Sequence, residues 1–430
     1  MGCIVVGQPF EYQSTRSYEE FTFNTSGNLI LLPVELNGVP MNFVLDSGVN
    51  KTVILNLTST DSLLLNDLQE IYLTGIGSKE PFKVIYSENN TLSVGNLFDV
   101  HHELYIILED TATFSKLLGV EVHGIMGYDI LKDFVVEVDY ARHIIRFYPH
   151  EKYKRRKKNK EAELPLAFYK RKPYIRTTVS LDTGVDEVVK LLLDTGSGDA
   201  LWLFANDTIK VPDNYFMDHL GIGLSGDIIG QRTKINSLKI SEDLLLNDVK
   251  CAFPEPEYLV HLSDDNFGRN GSLGGEALSR FLVTINYRDK WLRLKKNKNY
   301  KKEFYYNMSG ITIQHNGMRI VQERIRNKID PASSDISNSG ASYTSYFKQQ
   351  TQYYLTPKIE IAEIRTGSPA ALVGVQKGDV ILSINKRTVL KQSINEVRDM
   401  LNRKDGKTIK IVVDRNGDVL KFSFELKRLF

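Results

Sequence analysis

Asp46 and Asp194 each end a run of apolar residues, and each is followed by a hydroxyl residue and a glycine. The two stretches are Asn42-Phe43-Val44-Leu45-Asp46-Ser47-Gly48 and Leu191-Leu192-Leu193-Asp194-Thr195-Gly196-Ser197. A carboxylate is costly to bury unless something holds it, so an acid at the end of an apolar strand marks a site rather than a surface. A second apolar strand leaves each turn, Thr52-Val53-Ile54-Leu55 in the first and Ala200-Leu201-Trp202-Leu203-Phe204 in the second. Two such carboxylates brought together share one proton, and the pair can then act as acid and base toward a water molecule, with no covalent intermediate and no metal. Ser47, Gly48, Thr195, Gly196 and Ser197 would form the supporting turns. Ser197 offers a hydroxyl to Asp194 where the first copy has Val49, which predicts that Asp194 is the ionised member and Asp46 the protonated one.

The tripeptide alone does not decide. Asp182-Thr183-Gly184 has the same residues, but its flanks, Thr178-Val179-Ser180-Leu181 and Val188-Val189-Lys190, read as a hairpin around a turn. What singles out Asp46 and Asp194 is an internal repeat. Gly75-Ile76-Gly77 recurs as Gly221-Ile222-Gly223, Gly124-Ile125-Met126-Gly127 as Gly271-Ser272-Leu273-Gly274, and Phe134–Tyr140 as Phe281–Tyr287. Landmarks in one order at a nearly constant offset imply two similar β lobes, each presenting one aspartate.

With these residues in hand, the chain resembles the aspartic peptidases, with retropepsin-like lobes fused in one pepsin-like chain. The resemblance covers roughly residues 28–297 and implies that Asp46 and Asp194 are catalytic, that the substrate is a protein or peptide, that no cofactor is required, and that the chain is active as a monomer. The family's apolar-apolar-Gly element is matched by Ile125-Met126-Gly127; Ser272-Leu273-Gly274 departs from it by one polar residue. Gly75, Gly77, Gly221 and Gly223 fall in or beside the hairpin flap that this family closes over its substrate, or in ordinary β-turns. Resemblance to secreted and periplasmic bacterial relatives, with the apolar start Met1–Gln8, implies export. An alternative is a catalytically silent peptide-binding protein on the same fold.

The elements that follow have a different pattern. Ile359–Ile364 reads as a strand, Ser368-Pro369 as a helix start, Val380–Ile384 as a strand, and Ser393-Ile394-Asn395-Glu396 as a capping box opening a helix with Ile394, Val397 and Leu401 on one face. A hairpin around Asn416-Gly417 ends the chain. This order, with Gly367-Ser368-Pro369-Ala370 and Gly378-Asp379-Val380-Ile381-Leu382, looks like a PDZ domain of the bacterial protease-associated kind. Such domains take extended peptides, often C-termini, at a sheet edge. The resemblance puts the peptide-binding loop at Leu355, Thr356 and Pro357, which lack the family's glycine-rich loop, and docking or packing is an equal alternative role.

Composition adds boundaries. Of 430 residues, 25% are charged with a net charge of +2, which argues neither for nor against nucleic acid; the Lys152–Lys160 basic run reads as a linker, so no nucleic-acid partner is expected. The two cysteines, Cys3 and Cys251, are too few for a disulfide framework, and no spacing of His or Cys suggests a metal. No stretch reaches transmembrane length. The expected architecture is therefore mainly β: an N-terminal segment (1–27), a first lobe (28–150), a basic linker (151–163), a second lobe (164–299), and an α+β PDZ-like domain (300–430) with a mobile insertion at 331–351.

Overall fold

The computed structural model describes residues 9–55, 63–73, 82–107, 112–155, 161–182, 184–223, 226–259, 267–328, 347–402 and 404–430. The protein is mainly β, and it divides into two compact units, one running to Tyr306 and including Leu429–Phe430, the other Asn307–Arg428.

The first unit is built twice from one plan. In its first half, the strand Leu29–Leu36 turns at Asn37-Gly38 into Val39–Leu45. Val39–Leu45 pairs in parallel with Gly124–Met126, which pairs antiparallel with Thr52–Ile54, and that strand runs parallel to Leu97–Ile106. In the second half, Lys172–Ser180 turns through Asp182 into Asp186–Leu193. That strand pairs in parallel with Gly271–Leu273, which is antiparallel to Leu201–Leu203, itself parallel to Leu244–Pro254. The register is also repeated, with Val44 opposite Ile125 and Leu192 opposite Ser272, each two residues before its aspartate. Asp182 sits in the hairpin turn, as its flanks predict, and Gly184 takes a φ of 75° there. Each half also carries a long antiparallel hairpin: Gln69–Leu73 with Phe82–Val94, and Phe216–Gly223 with Gly226–Ser241.

The halves are joined by a shared six-stranded sheet. Phe134–Asp139 lies antiparallel to Phe281–Asn286 with Glu137 opposite Thr284, and Ile144–Pro149 and Trp291–Lys296 extend it on either side. Because these two central strands are repeat equivalents, the pairing is a local two-fold. One continuous apolar core runs through both halves, including Phe43, Leu45, Met126, Leu191, Leu193, Leu273 and Phe281.

Some segments differ from expectation. Residues 9–27, expected only as an N-terminal segment, form three short strands: Glu11–Tyr12 pairs with Leu97–Phe98, Glu19–Thr22 with Ile144–Phe147, and Asn24–Ser26 with Leu29–Leu31. The basic stretch is anchored at both ends. Lys152 Nζ donates to the Ser14 and Arg16 carbonyls, and Glu161–Pro165 forms a strand on Trp291–Lys295. The first unit continues past residue 299, because Phe304 joins its core and Tyr306 Oη donates to the Thr233 carbonyl at 2.5 Å.

In the second unit, Ile311–Lys328 and Phe347–Ile364 form one long antiparallel pair, followed in the sheet by Val380–Ile384, Thr408–Arg415 and Asp418–Glu425. The sequence signals for its helices hold: Ser368 caps Pro369–Leu372, and Ser393 and Glu396 form a complete capping box on Ile394–Leu401. Val397 and Leu401 are fully buried against Ile311, Ile313 and Ile361 in a separate core.

Candidate active site and peptide-binding module

Each aspartate follows its strand into a tight turn held from below by the neighbouring short strand. Asp46 N–H donates to the Met126 carbonyl (2.8 Å) and Asp194 N–H to the Leu273 carbonyl (3.0 Å). The glycine after each short strand lets the two backbones touch. A Cβ on Gly127 would fall 2.0 Å from the Asp46 carbonyl oxygen, and one on Gly274 would fall 2.3 Å from the Asp199 carbonyl oxygen.

The two turns meet. Ser47 N–H donates to Thr195 Oγ1 (3.0 Å), and Thr195 N–H donates to Ser47 Oγ (3.1 Å). Each hydroxyl then donates across to the opposite strand, Ser47 Oγ to the Leu193 carbonyl (2.6 Å) and Thr195 Oγ1 to the Leu45 carbonyl (2.8 Å). Ser47 and Thr195 are 0% and 2% exposed, so these four bonds satisfy groups that water does not reach. Tyr287 Oη donates to the Ser47 carbonyl at 3.4 Å.

This lock makes the carboxyls converge. A methyl built on Gly48 would lie 3.0 Å from Asp46 Oδ1 and 3.4 Å from Asp194 Oδ1, and one built on Gly196 would lie 2.1 Å from Asp46 Cγ. Both aspartates are enclosed by protein yet keep partial access to solvent. Burial, and then the charge of Asp194, push the Asp46 carboxyl up to about 7, against the Gly48 N–H, Lys172 and the Gly196 N–H. Burial raises Asp194 as well, but Arg269, Lys172, the Ser272 hydroxyl and the Gly196 N–H all favour its charged form. More groups that favour the charged form therefore surround Asp194 than Asp46. The hydroxyl that favours the charged form of Asp194 is that of Ser272, a residue that sequence reasoning treats as a packing departure. Ser197 instead has its Oγ 3.0 Å from where a Cβ on Gly274 would stand.

Of the remaining residues singled out in the sequence, Gly75 and Gly77 lie outside the described residues. Gly221 and Gly223 lie in the Phe216–Gly223 arm of the second hairpin, with a bulge between His219 and Gly221. Asp199 belongs to a separate cluster: burial would raise it, but Arg232 NH1 (2.8 Å) and Trp202 Nε1 (2.7 Å) hold it below the usual carboxylate range. Among the described residues no group of His, Cys, Asp and Glu could hold a metal, and no helix is long and apolar enough to cross a membrane.

In the second unit, Leu355, Thr356 and Pro357 are not in a loop. They lie inside the strand Phe347–Ile364, opposite Ile320, Arg319 and Met318. Ile311–Lys328 is one edge strand of the sheet, with Asp418–Glu425 at the other edge, and the loop that opens Ile311–Lys328 is Asn307–Gly310. Gly310 is at φ 78°, and a Cβ there would fall 2.2 Å from Ser368 Cβ. Asn307 fills this loop from within. Its Oδ1 accepts from Ser309 N–H (3.1 Å), Ser309 Oγ (2.8 Å) and Gly310 N–H (3.2 Å), while its Nδ2 donates to the Ile311 carbonyl (2.7 Å). Ile311 N–H is taken by Ser309 Oγ at 3.2 Å.

Comparison of the chain with curated proteins gives no match. Residues 360–415, from within the second strand of this unit to the end of Thr408–Arg415, match the PDZ domain family, so the second unit carries a PDZ domain, a peptide-binding module.

Proposed function

We propose that the protein is an aspartic endopeptidase in which Asp46 and Asp194 form an intramolecular dyad, with the PDZ domain recruiting or regulating peptide substrate. The observation that carries the reading is the convergence of two largely enclosed carboxyls at the ends of repeat-equivalent strands, locked by the Ser47–Thr195 exchange. Ionised Asp194 takes a proton from water as the water oxygen attacks the scissile carbonyl carbon, and protonated Asp46 gives its proton to the carbonyl oxygen. Collapse of the tetrahedral intermediate breaks the C–N bond; the amine leaves with the proton held by Asp194, and Asp46 recovers its own. Both carboxyls belong to one chain, so the active species is a monomer. Export from a bacterial cell is part of the same reading, tested by fractionation.

The test is cleavage of a diverse peptide library from acid to neutral pH by the full chain and by Asp46→Asn and Asp194→Asn. Loss of activity in both folded variants supports the dyad. Loss in one alone removes the two-aspartate mechanism. No cleavage by the wild type at any pH favours the alternative reading, a peptide-binding protein served by its PDZ domain.

A further inference from the structure

The internal repeat allows each group around Asp194 to be compared with its counterpart around Asp46. Ser272 stands opposite Leu192 and Ile125 opposite Val44, so Ile125 is the first-half equivalent of Ser272. Three residues earlier, Arg269 corresponds to Val122, which is 1% exposed in an apolar cluster. By the same register, Tyr174 opposite Leu192 corresponds to Leu31 opposite Val44, and Lys172 therefore corresponds to Leu29. The second half has replaced three apolar positions with two cations and a hydroxyl.

Two of these replacements, Arg269 and Ser272, are bonded to each other. Arg269 Nε donates to the Gly271 carbonyl at 3.0 Å and its NH2 to Ser272 Oγ at 2.5 Å, with the guanidinium over the Phe204 ring. Ser272 is 3% exposed and stands opposite Leu192, so it lies on the face of the strand pair that also carries position 194, and its hydroxyl is among the groups that favour the charged form of Asp194. A hydroxyl whose oxygen is bound by a cation is a better donor, and a donor aimed at a carboxylate favours the charged form.

We propose that Arg269 and Ser272 are positioning residues that assign the roles in the dyad: Ser272, held by Arg269, keeps Asp194 as the carboxylate that receives the proton from water and leaves Asp46 as the acid. This rests on the peptidase reading for its catalytic meaning, but the assignment of charge does not. The other groups facing the pair are Lys172, which acts on both carboxyls, and the phenol of Tyr287, which burial keeps neutral. Ile125 and Val122 offer Asp46 no counterpart.

The experiment is carbon NMR titration of the aspartate carboxyls in the full chain, with Asp46→Asn and Asp194→Asn used for assignment, in wild type, Ser272→Ala and Arg269→Met. In the wild type, Asp194 titrates below Asp46. Each variant moves the lower titration up by about one pH unit, the size expected when a charge-assisted hydrogen bond to a carboxylate is lost. Arg269→Met retains the hydroxyl and leaves the central strand untouched, so it serves where Ser272→Ala fails to fold. An Asp46 that titrates first, or a lower titration unmoved in a folded variant, overturns the proposal. These readings need no turnover, so they stand apart from the cleavage test. Where the chain cleaves peptide, the acid limb of kcat/KM shifts upward by the same amount.

Discussion

Ser47 and Thr195 exchange hydrogen bonds across 148 residues of chain, N–H to Oγ1 at 3.0 Å and N–H to Oγ at 3.1 Å. Each then caps the carbonyl just before the other's aspartate. Thr195→Ala therefore strands the buried Ser47 N–H and the Leu45 carbonyl together. Leaving a buried polar group unpaired costs about 1–3 kcal/mol. The expected outcome is a lower denaturation midpoint for the first unit, with Thr195→Ser close to wild type. Chemical denaturation followed by near-ultraviolet circular dichroism checks it, and equal midpoints for Thr195→Ala and wild type would remove the lock from the energetics.

The state of Asp46 makes a prediction about stability that needs no substrate. Burial and the neighbouring Asp194 raise its carboxyl from 3.8 to about 7 in the fold. Between those values the unfolded chain has released a proton that the folded chain still holds, so the unfolded state binds fewer protons and stability falls as pH rises. The contribution is whole below about 4 and lost by about 7. Asp46→Asn abolishes it. The variant is expected to be more stable than wild type at pH 8 by roughly 2–4 kcal/mol, since each pH unit between the unfolded and folded values is worth about 1.36 kcal/mol, and to converge with it near pH 4. Denaturation midpoints at the two pH values decide, and a gap that does not change with pH would show that Asp46 is not the raised group.

How much of this can be read from the sequence depends on whether the information is local or repeated. The equivalence of the two halves is legible because Asp46 and Asp194, Met126 and Leu273, and Phe134 and Phe281 keep one order and offset, which reflects one strand plan used twice. The Ser272–Arg269 chain is missed because a serine in an apolar-apolar-Gly element reads as a flaw when judged alone. The signal was present in the comparison with Ile125 and Val122 at the repeat offset. The edge of the PDZ domain is missed for another reason: Ile311–Lys328 pairs with Phe347–Ile364 across an interruption in the pattern, and no local periodicity says which strand lies outermost. Residues 9–27 likewise gain two strands from partners far along the chain, at Leu97 and Ile144, and a third from the adjacent Leu29–Leu31.

At the opening of that edge strand, Asn307 Oδ1 takes the Ser309 and Gly310 amides, the groups through which a backbone nest could take a terminal carboxylate. The wild-type domain is therefore expected to bind peptides with free and amidated C-termini about equally. Asn307→Ala frees these groups and should create a preference of roughly 3- to 10-fold for the free carboxylate, the worth of a net hydrogen bond. Fluorescence anisotropy with matched peptide pairs measures it. A wild-type preference as large as that of the variant would mean that Asn307 does not occupy the ligand's place.

The glycines of the Asp46 and Asp194 turns are unequal, and the inequality orders two variants. A methyl on Gly196 would overlap the Asp46 carboxyl, at 2.1 Å from Cγ and 2.2 Å from Oδ2. A methyl on Gly48 would stand 3.0 Å from Asp46 Oδ1 and 3.3 Å from Leu192 Cδ2, which small shifts accommodate. Neither glycine lies in the left-handed region, so the difference is one of space alone. Gly196→Ala must push Asp46 aside by more than an ångström, and a displacement of that size costs about 10²-fold in rate. Gly48→Ala should lose far less. In the library cleavage assay the expected order is wild type, then Gly48→Ala, then Gly196→Ala near background, with both variants folded by circular dichroism. Equal activity in the two would mean that Asp46 does not need the position that Gly196 leaves for it.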